Sequence, residues 1–100
     1  DSVDIIKSGG YKISALEIED VLLRHPKIKE CAVVGIADQK WGELVAVALC
    51  SSENLTLEEI QTWSLDFLSD YKTPRNLKIF EELPKNAMGK VVKTEIKKLF

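Results

Sequence analysis

A chain of 100 residues matches the length of one domain, and its hydrophobic content of 45% with 30% charged residues is typical of an ordinary folded, soluble domain. The net charge of -2 argues against a dedicated nucleic-acid-binding protein, which usually carries a basic excess. No apolar run approaches the roughly 20 residues that a membrane-spanning helix needs. The chain begins at Asp1 rather than at methionine and shows no signal peptide, so we expect it to be a piece of a longer protein.

The first elements form a predicted hairpin followed by a helix. Val3 to Lys7 and Tyr11 to Ile13 favour short strands, and Ser8-Gly9-Gly10 between them favours a tight turn. The two glycines serve either that turn or the close approach of a ligand to the backbone. Ser14 and Glu17 have the spacing of a capping box, which predicts a helix that ends near His25, with these residues on its buried face: Ala15, Ile18, Val21 and Leu22.

Two apolar runs in the middle of the chain, Ile28 to Asp38 and Leu44 to Cys50, predict a pair of antiparallel core strands. Trp41 lies in the loop between them. We expect this side chain to cover the core, and a platform for a ligand is the alternative. With His25 as the single histidine and no Cys-x-x-Cys pair, Cys31 and Cys50 are expected to be buried thiols, and no metal site is predicted.

The second half of the chain adds another capping box, at Thr56 and Glu59, and a third core strand over Asn76 to Phe80. The helix that Thr56 opens is predicted to turn these residues inward: Leu57, Ile60, Phe67 and Leu68. A short amphipathic helix over Glu95 to Phe100 closes the chain. The predicted fold is therefore α+β, a small sheet of about three strands with packed helices plus the N-terminal two-stranded hairpin.

Pro84-Lys85-Asn86-Ala87-Met88-Gly89-Lys90 is a predicted surface loop between the third strand and the last helix. Gly89 gives the backbone beside Lys90 unusual freedom, so the lysine could carry its charge onto a phosphate or carboxylate supplied from outside. The alternative is a hairpin-like loop with a solvated lysine. A P-loop is excluded, because Pro84 stands where that motif needs a glycine and Val91 where it needs serine or threonine.

Three stretches in this order resemble the C-terminal domain of the adenylate-forming superfamily, which includes acyl-CoA synthetases. They are the run from Asp4 to Glu19, the run Val33 to Asp38 with Trp41-Gly42-Glu43, and the loop from Pro84 to Lys90. The resemblance covers essentially the whole chain. The sequence from Ser2 to Lys12 looks most like that of malonyl-CoA synthetases and their close acyl-CoA synthetase relatives.

This resemblance implies a two-step reaction in which a carboxylate and ATP give acyl-AMP, and CoA then gives the thioester. It makes Lys90 the catalytic residue of the first step, with Pro84 and Gly89 supporting its motif. The resemblance also implies that one loop faces CoA in the second step, and that loop consists of these residues: Ser8, Gly9, Gly10, Tyr11 and Lys12. ATP and Mg2+ would be bound mainly by a large N-terminal domain that these 100 residues do not contain.

The resemblance also implies that residues 1–100 are a single mobile domain that rotates about a hinge near its start. The Gly-Arg pair that normally precedes the hinge is missing, so the hinge is placed only within these residues: Asp1, Ser2, Val3 and Asp4. Some relatives carry a second functional lysine where this chain has Gly9, so no such role is assigned.

Two other functions stay open at this point. One is transfer of the acyl group to a carrier-protein thiol instead of CoA, and the other is a non-catalytic α+β interaction module. As partners we expect the N-terminal domain, ATP or AMP, a carboxylic acid and CoA, but no nucleic acid. The expected location is cytoplasmic, with mitochondrial or peroxisomal as alternatives, and the isolated domain is expected to be inactive.

Overall fold

Two long strands, β3 (Ile28–Asp38) and β4 (Gly42–Ser51), form the centre of the sheet in the computed structural model, which describes residues 2–100. They pair antiparallel from Ile28 opposite Ser51 to Asp38 opposite Gly42. Both strands are rich in Val, Ile, Leu and Ala, and their central residues are buried whichever face of the sheet they point to. A strand with apolar neighbours on both faces needs a continuous apolar run, which is what the sequence supplies.

The remaining strands flank this pair. β1 (Ile5–Ser8) and β2 (Tyr11–Ser14) form the predicted hairpin, which meets β4 where Ser8 lies opposite Gly42. β5 (Asn76–Ile79) runs parallel to β4. The α+β prediction is therefore confirmed, and the hairpin joins the main sheet as strands of a single five-stranded sheet.

Helices cover the sheet on both faces. On one face lie α1 (Ala15–Leu23) and α2 (Leu57–Leu65), whose buried residues include Ile18, Leu22 and Ile60. On the other face α3 (Lys93–Lys98) packs with the segment before it, and the residues buried there include Leu83 and Ile96. Two short 3-10 helices, at 2–4 and 70–72, connect these elements. Within residues 2–100, no helix is long and apolar enough to cross a membrane.

Side-chain caps begin both long helices, but the capping box predicted at Ser14 and Glu17 is only half formed, because the Glu17 carboxylate accepts from Lys72 Nζ at 2.9 Å instead. The Ser14 hydroxyl accepts the N–H of Glu17 at 3.2 Å. Thr56 and Glu59 form the full capping box, in which each side chain accepts the other residue's backbone N–H at 3.1 Å. These local bonds satisfy backbone donors that a helix start leaves unpaired.

Several expectations about individual residues were wrong. Trp41 is 48% exposed and does not cover the core, and Phe67 is 46% exposed, because α2 ends before it and the chain turns there. The prediction that the first helix ends near His25 is confirmed, since α1 ends at Leu23 and the N–H of His25 donates to the Leu22 carbonyl. β5 is a largely exposed strand rather than a core strand, and only Leu77 of its four residues is partly buried, against the first core cluster.

The burial pattern of α1 predicts that two side chains of similar size in this helix, Ile18 and Leu16, contribute very differently to the stability of the domain. Ile18 is fully buried, whereas Leu16 is 55% exposed. We expect Ile18→Ala to lower the free energy of unfolding of the 100-residue chain by about 2–5 kcal/mol, since it leaves a cavity. Leu16→Ala is the control and should change it by about 0.5 kcal/mol or less. Denaturant titrations followed by circular dichroism measure both, and equal losses would contradict the packing described here.

Candidate functional site

The loop that carries Lys90 is held by the side chain of Asn86. Its Oδ1 accepts the backbone N–H of Met88 at 2.9 Å and that of Lys90 at 3.1 Å. The N–H of Asn86 in turn donates to the carbonyl of Lys90 at 2.9 Å. Gly89 has φ +81°, which L side chains rarely adopt, so the turn needs a glycine there. The backbone of Lys90 is therefore fixed although the loop is on the surface.

The base of this loop is also fixed. Lys85 and Val91 form an antiparallel bridge, and the N–H of Val92 donates to the carbonyl of Pro84 at 3.0 Å. The Lys85 Nζ lies 2.8 Å from the Glu30 carboxylate, near the first residues of β3. These contacts anchor the loop to the end of the sheet where β3 begins.

The Lys90 side chain itself is exposed and belongs to none of the ion pairs of residues 2–100. Five other lysines of this chain, by contrast, bind carboxylates: Lys27, Lys72, Lys85, Lys93 and Lys98. An ammonium on a flexible stem above a rigid turn can be offered to an anion that comes from outside the domain.

The glycine turn lies between β1 and β2. Gly9 and Gly10 have φ +58° and +87°, which is the backbone that a two-residue hairpin turn requires. The N–H of Gly9 donates to the Trp41 carbonyl at 2.9 Å, and a Cβ at Gly9 would lie 3.0 Å from Cε3 of the Trp41 ring. Gly9 therefore serves both the turn and a close approach, and the approaching group within the domain is Trp41.

A groove of about 580 Å³ runs beside this turn. Its wall is aromatic at three points: the rings of Tyr11 and Tyr71 stack at 4.1 Å, and Trp41 faces the same space. Two cations, Lys40 and Arg75, and two carboxylates, Asp38 and Asp70, also line it. Arg75 is paired with Asp70 at 3.3 Å, whereas the Nζ of Lys40 lies 5.3 Å from the Trp41 ring centroid. Such a surface can accept a ring by stacking and a phosphate group at Lys40 by charge.

Four of these groove residues were not recognised as functional from the sequence. Lys40, Tyr71 and Arg75 lie in connecting segments, and Trp41 was assigned to the core. The pair Lys40–Trp41 is some 30 residues from Tyr71 and Arg75 along the chain, and folding brings them together, so no single local motif contains all four. Ser8, Gly9 and Tyr11 do line the groove, whereas Lys12 lines a different depression with Lys7 and Lys97, because neighbouring residues of a strand point to opposite faces.

The predicted hinge residues lie close to the last helix. Ser2–Asp4 forms a short 3-10 helix, and Asp1 lies outside the described residues. The Asp4 carboxylate is 2.6 Å from Nζ of Lys93, the first residue of α3. Among residues 2–100, no three side chains of the kinds that bind metals come together.

The two cysteines are not candidates for covalent chemistry. Burial, with a smaller contribution from the Glu19 charge, raises the pKa of Cys31 to about 12. Burial is also the main cause that raises the pKa of Cys50. Because a thiolate is the reactive form, both thiols are inert at neutral pH.

The Lys90 loop and the glycine turn lie at opposite ends of one strand. The first is tied to Glu30 near the start of β3, and the second is tied to Trp41 just after its end at Asp38. A strand advances about 3.3 Å per residue, so these anchors are roughly 25 Å apart. The longest dimension of the domain is 33 Å. A single small reaction centre cannot contact both loops in one orientation of the domain.

Comparison with known proteins gives one consistent family. Residues 17–90 match the AMP-binding enzyme C-terminal domain. The chain is 48% identical to a malonate–CoA ligase of Arabidopsis thaliana, an alignment that covers 97% of this chain and 18% of that protein. It is 47% identical to a mitochondrial malonate–CoA ligase of Bos taurus, covering 95% of this chain and 17% of that protein.

Solved structures agree with this result. The fold matches a Mycobacterium tuberculosis fatty acyl CoA synthetase with a TM-score of 0.91 and 34% identity, over 97% of this chain and 20% of that one. It also matches the o-succinylbenzoate CoA synthetase of Bacillus subtilis in complex with an acyl-adenylate intermediate. That match has a TM-score of 0.88 and 34% identity, over 94% of this chain and 19% of the other.

The chain thus spans about a fifth of the length of these relatives. The family match and the identities confirm the expectation drawn from the three sequence stretches, and the chain belongs to the AMP-binding enzyme C-terminal domain family, as found in acyl-CoA synthetases and other CoA ligases.

Proposed function

We propose that this chain is the mobile C-terminal domain of an ATP-dependent acyl-CoA synthetase and serves its two half-reactions in turn. The observation that carries the proposal is the separation of the Lys90 loop and the glycine turn at opposite ends of β3. One rotation of the domain about residues 1–4 would exchange the two loops at a reaction centre held by a preceding domain.

In the first half-reaction a carboxylate oxygen of the acid attacks the α-phosphorus of ATP, and the bond to pyrophosphate breaks. Lys90 is the catalytic residue that we assign to this step. Its free ammonium would contact the reacting carboxylate and the α-phosphate oxygens, orient them, and stabilise the negative charge as it moves toward the leaving group. The Asn86-supported turn holds the backbone of Lys90 ready for this.

In the second half-reaction the CoA thiol attacks the acyl carbonyl, and AMP leaves with the bonding electron pair. The groove beside Gly9 would hold the CoA, with Lys40 near its phosphates and the aromatic rings against its adenine or its pantetheine arm. Ser8, Gly10 and Tyr11 would lie at the same edge. Lys12 points into the other depression, so its contribution would be to phosphates at the rim.

The remaining chemistry belongs to the preceding domain. We propose that Mg2+ would be held there together with ATP. The hinge would lie within residues 1–4. We expect the isolated chain to be inactive, because both substrates of the first half-reaction would be bound by the preceding domain.

Malonate is the acid that we favour, because relatives at 47% and 48% identity are named as malonate–CoA ligases. CoA is favoured over a carrier-protein thiol, since the ammonium of Lys40, which belongs to none of the ion pairs of residues 2–100, suits a phosphate of a free nucleotide. We place the enzyme in the cytoplasm, with the mitochondrion as the alternative because one relative is named as mitochondrial.

The first test is Lys90→Ala in the full-length enzyme. Carboxylate-dependent ATP–pyrophosphate exchange should fall by about 10²–10³-fold, the usual cost of losing one charge-stabilising group. Thioester formation from pre-formed acyl-AMP and CoA should stay within about twofold, since Lys90 would then be far from the reaction. Lys98→Ala, which removes an exposed lysine eight positions later, is the control and should leave both steps unchanged.

The other outcomes have distinct meanings. If neither half-reaction changes, Lys90 has no catalytic role, and a non-catalytic module regains support. If both collapse while the protein stays folded, one lysine serves both steps and the alternation of loops is wrong.

The groove makes a separate prediction for CoA. Lys40→Ala should raise KM for CoA by about two- to fivefold, the size expected for one exposed ion pair, without changing ATP–pyrophosphate exchange. Lys29→Ala is the matched control, because Lys29 is an exposed lysine of β3 outside the groove. An unchanged KM for CoA in Lys40→Ala, measured by initial rates of thioester formation, would place CoA elsewhere.

A further inference from the structure

Lys93 is a charged residue that the proposed reaction does not use, and it is mostly buried. Only 14% of its side chain is exposed. Its Nζ lies 2.6 Å from Oδ1 of Asp4 and 2.7 Å from Oε2 of Glu19, whose side chains are themselves 25% and 16% exposed. A buried ammonium with two carboxylates is costly to assemble, so it is a feature that the fold has to support.

The pKa of this lysine agrees with the geometry. Burial alone would lower the pKa of Lys93, but the hydrogen bonds that its ammonium donates to Asp4 and Glu19, with the charges of these carboxylates, outweigh burial, and the pKa is raised. Lys93 is therefore fully charged at neutral pH and remains paired with both carboxylates.

The three residues come from three different parts of the chain. Asp4 ends the 3-10 helix at the predicted hinge, Glu19 belongs to α1, and Lys93 begins α3. The same Glu19 oxygen also accepts the N–H of Val33 at 2.9 Å, which ties the cluster to β3. The cluster is thus a junction between the hinge, the sheet and the segment that contains Lys90.

The path from Lys93 to Lys90 is short and rigid. Two residues separate them: Val91, which packs against the second core cluster, and Val92, which donates its N–H to Pro84. The backbone N–H of Lys90 in turn donates to Oδ1 of Asn86. A shift of Lys93 would therefore be passed directly to Lys90.

The glycine turn reaches the hinge by a different route. Asp4 is followed immediately by β1, which ends at Ser8 beside the turn. The position of the turn relative to the hinge is set by four residues of continuous strand. Lys90, by contrast, is near the other end of the sequence, and the pair Lys93–Asp4 joins its segment to the hinge.

We propose that Lys93 is a positioning residue. Its ion pairs with Asp4 and Glu19 fix the position of Lys90 relative to the hinge. This inference rests on the proposed function, because it gives a role to Lys93 only if Lys90 takes part in the adenylation step. It predicts that Lys93 matters for the first half-reaction and not for the second.

The test uses the full-length enzyme with Lys93→Met, which keeps the stem and removes the charge. We expect kcat for ATP–pyrophosphate exchange to fall by about a hundredfold, since a displacement near 1 Å of a reacting group can cost that much. KM for ATP and the acid should stay within about twofold, because the preceding domain binds both. Thioester formation from acyl-AMP should not change. Lys93→Arg should retain most of the activity.

The matched control is Lys98→Met, which removes the same charge from an exposed position of the same helix, where Lys98 pairs with Glu95. It should leave both half-reactions unchanged. A double variant, Lys90→Ala with Lys93→Met, adds a sharper readout. If Lys93 acts through Lys90, the double variant is no slower in exchange than Lys90→Ala alone, so the two effects are strongly non-additive.

A purely structural role gives a different pattern. Equal loss of both half-reactions, with effects that add in the double variant, would overturn the inference. If Lys93→Met does not fold, Asp4→Ala decides, because it leaves Lys93 paired with Glu19. A selective loss of exchange in Asp4→Ala supports the inference, and unchanged exchange overturns it. If Lys90→Ala itself leaves exchange unchanged, the proposed function fails first.

Discussion

The burial of the β3–β4 pair on both faces is the constraint on which the rest of the structure depends. One face takes α1 and α2, the other takes α3 and the segment that leads to it, and neither layer has another surface to cover. Both faces are occupied over the middle of the two strands, where the residues are buried, and exposure increases toward the strand ends. The Lys90 loop and the glycine turn are attached at those ends, one at each. Their separation is therefore a direct consequence of how the core is packed.

The ion-pair cluster of Lys93, Asp4 and Glu19 fixes the positions of segments that lie at the edge of the sheet. Apolar packing is non-directional and tolerates small sliding movements between layers. An ammonium held by two carboxylates at 2.6 and 2.7 Å is directional, and a displacement leaves a buried charge unpaired. A domain that must deliver a side chain to a defined position after a large rotation needs the second kind of contact between its hinge and that side chain. Here the junction lies where the two layers meet the edge of β3.

Much of the fold could be predicted from the sequence, because the signals involved are local. The apolar runs defined β3 and β4, the caps at Ser14 and Thr56 defined two helix starts, and the paired glycines defined a turn. The groove could not be predicted. Tyr11, Trp41 and Tyr71 become neighbours only when the hairpin, the β3–β4 connection and the segment before β5 meet. Because an aromatic side chain is hydrophobic, the sequence predicts that a loop aromatic such as Trp41 is buried in the core. Only the folded structure shows that this side chain is half exposed.

The two loops differ from the core in what they contribute to folding, and this difference makes the proposed function separable from stability. Met88, beside Lys90, is 81% exposed, and Lys90 makes no ion pair within residues 2–100, so neither side chain contributes much to holding the domain together. A lysine without an ion pair inside the domain has no such pair to break before it binds an anion elsewhere. Under the proposed function, a Lys90 paired as Lys93 is would have to leave its partners before each first half-reaction. The chain thus contains two lysines, three residues apart, with opposite environments: one is fixed in the fold, and the other is free to bind an outside anion.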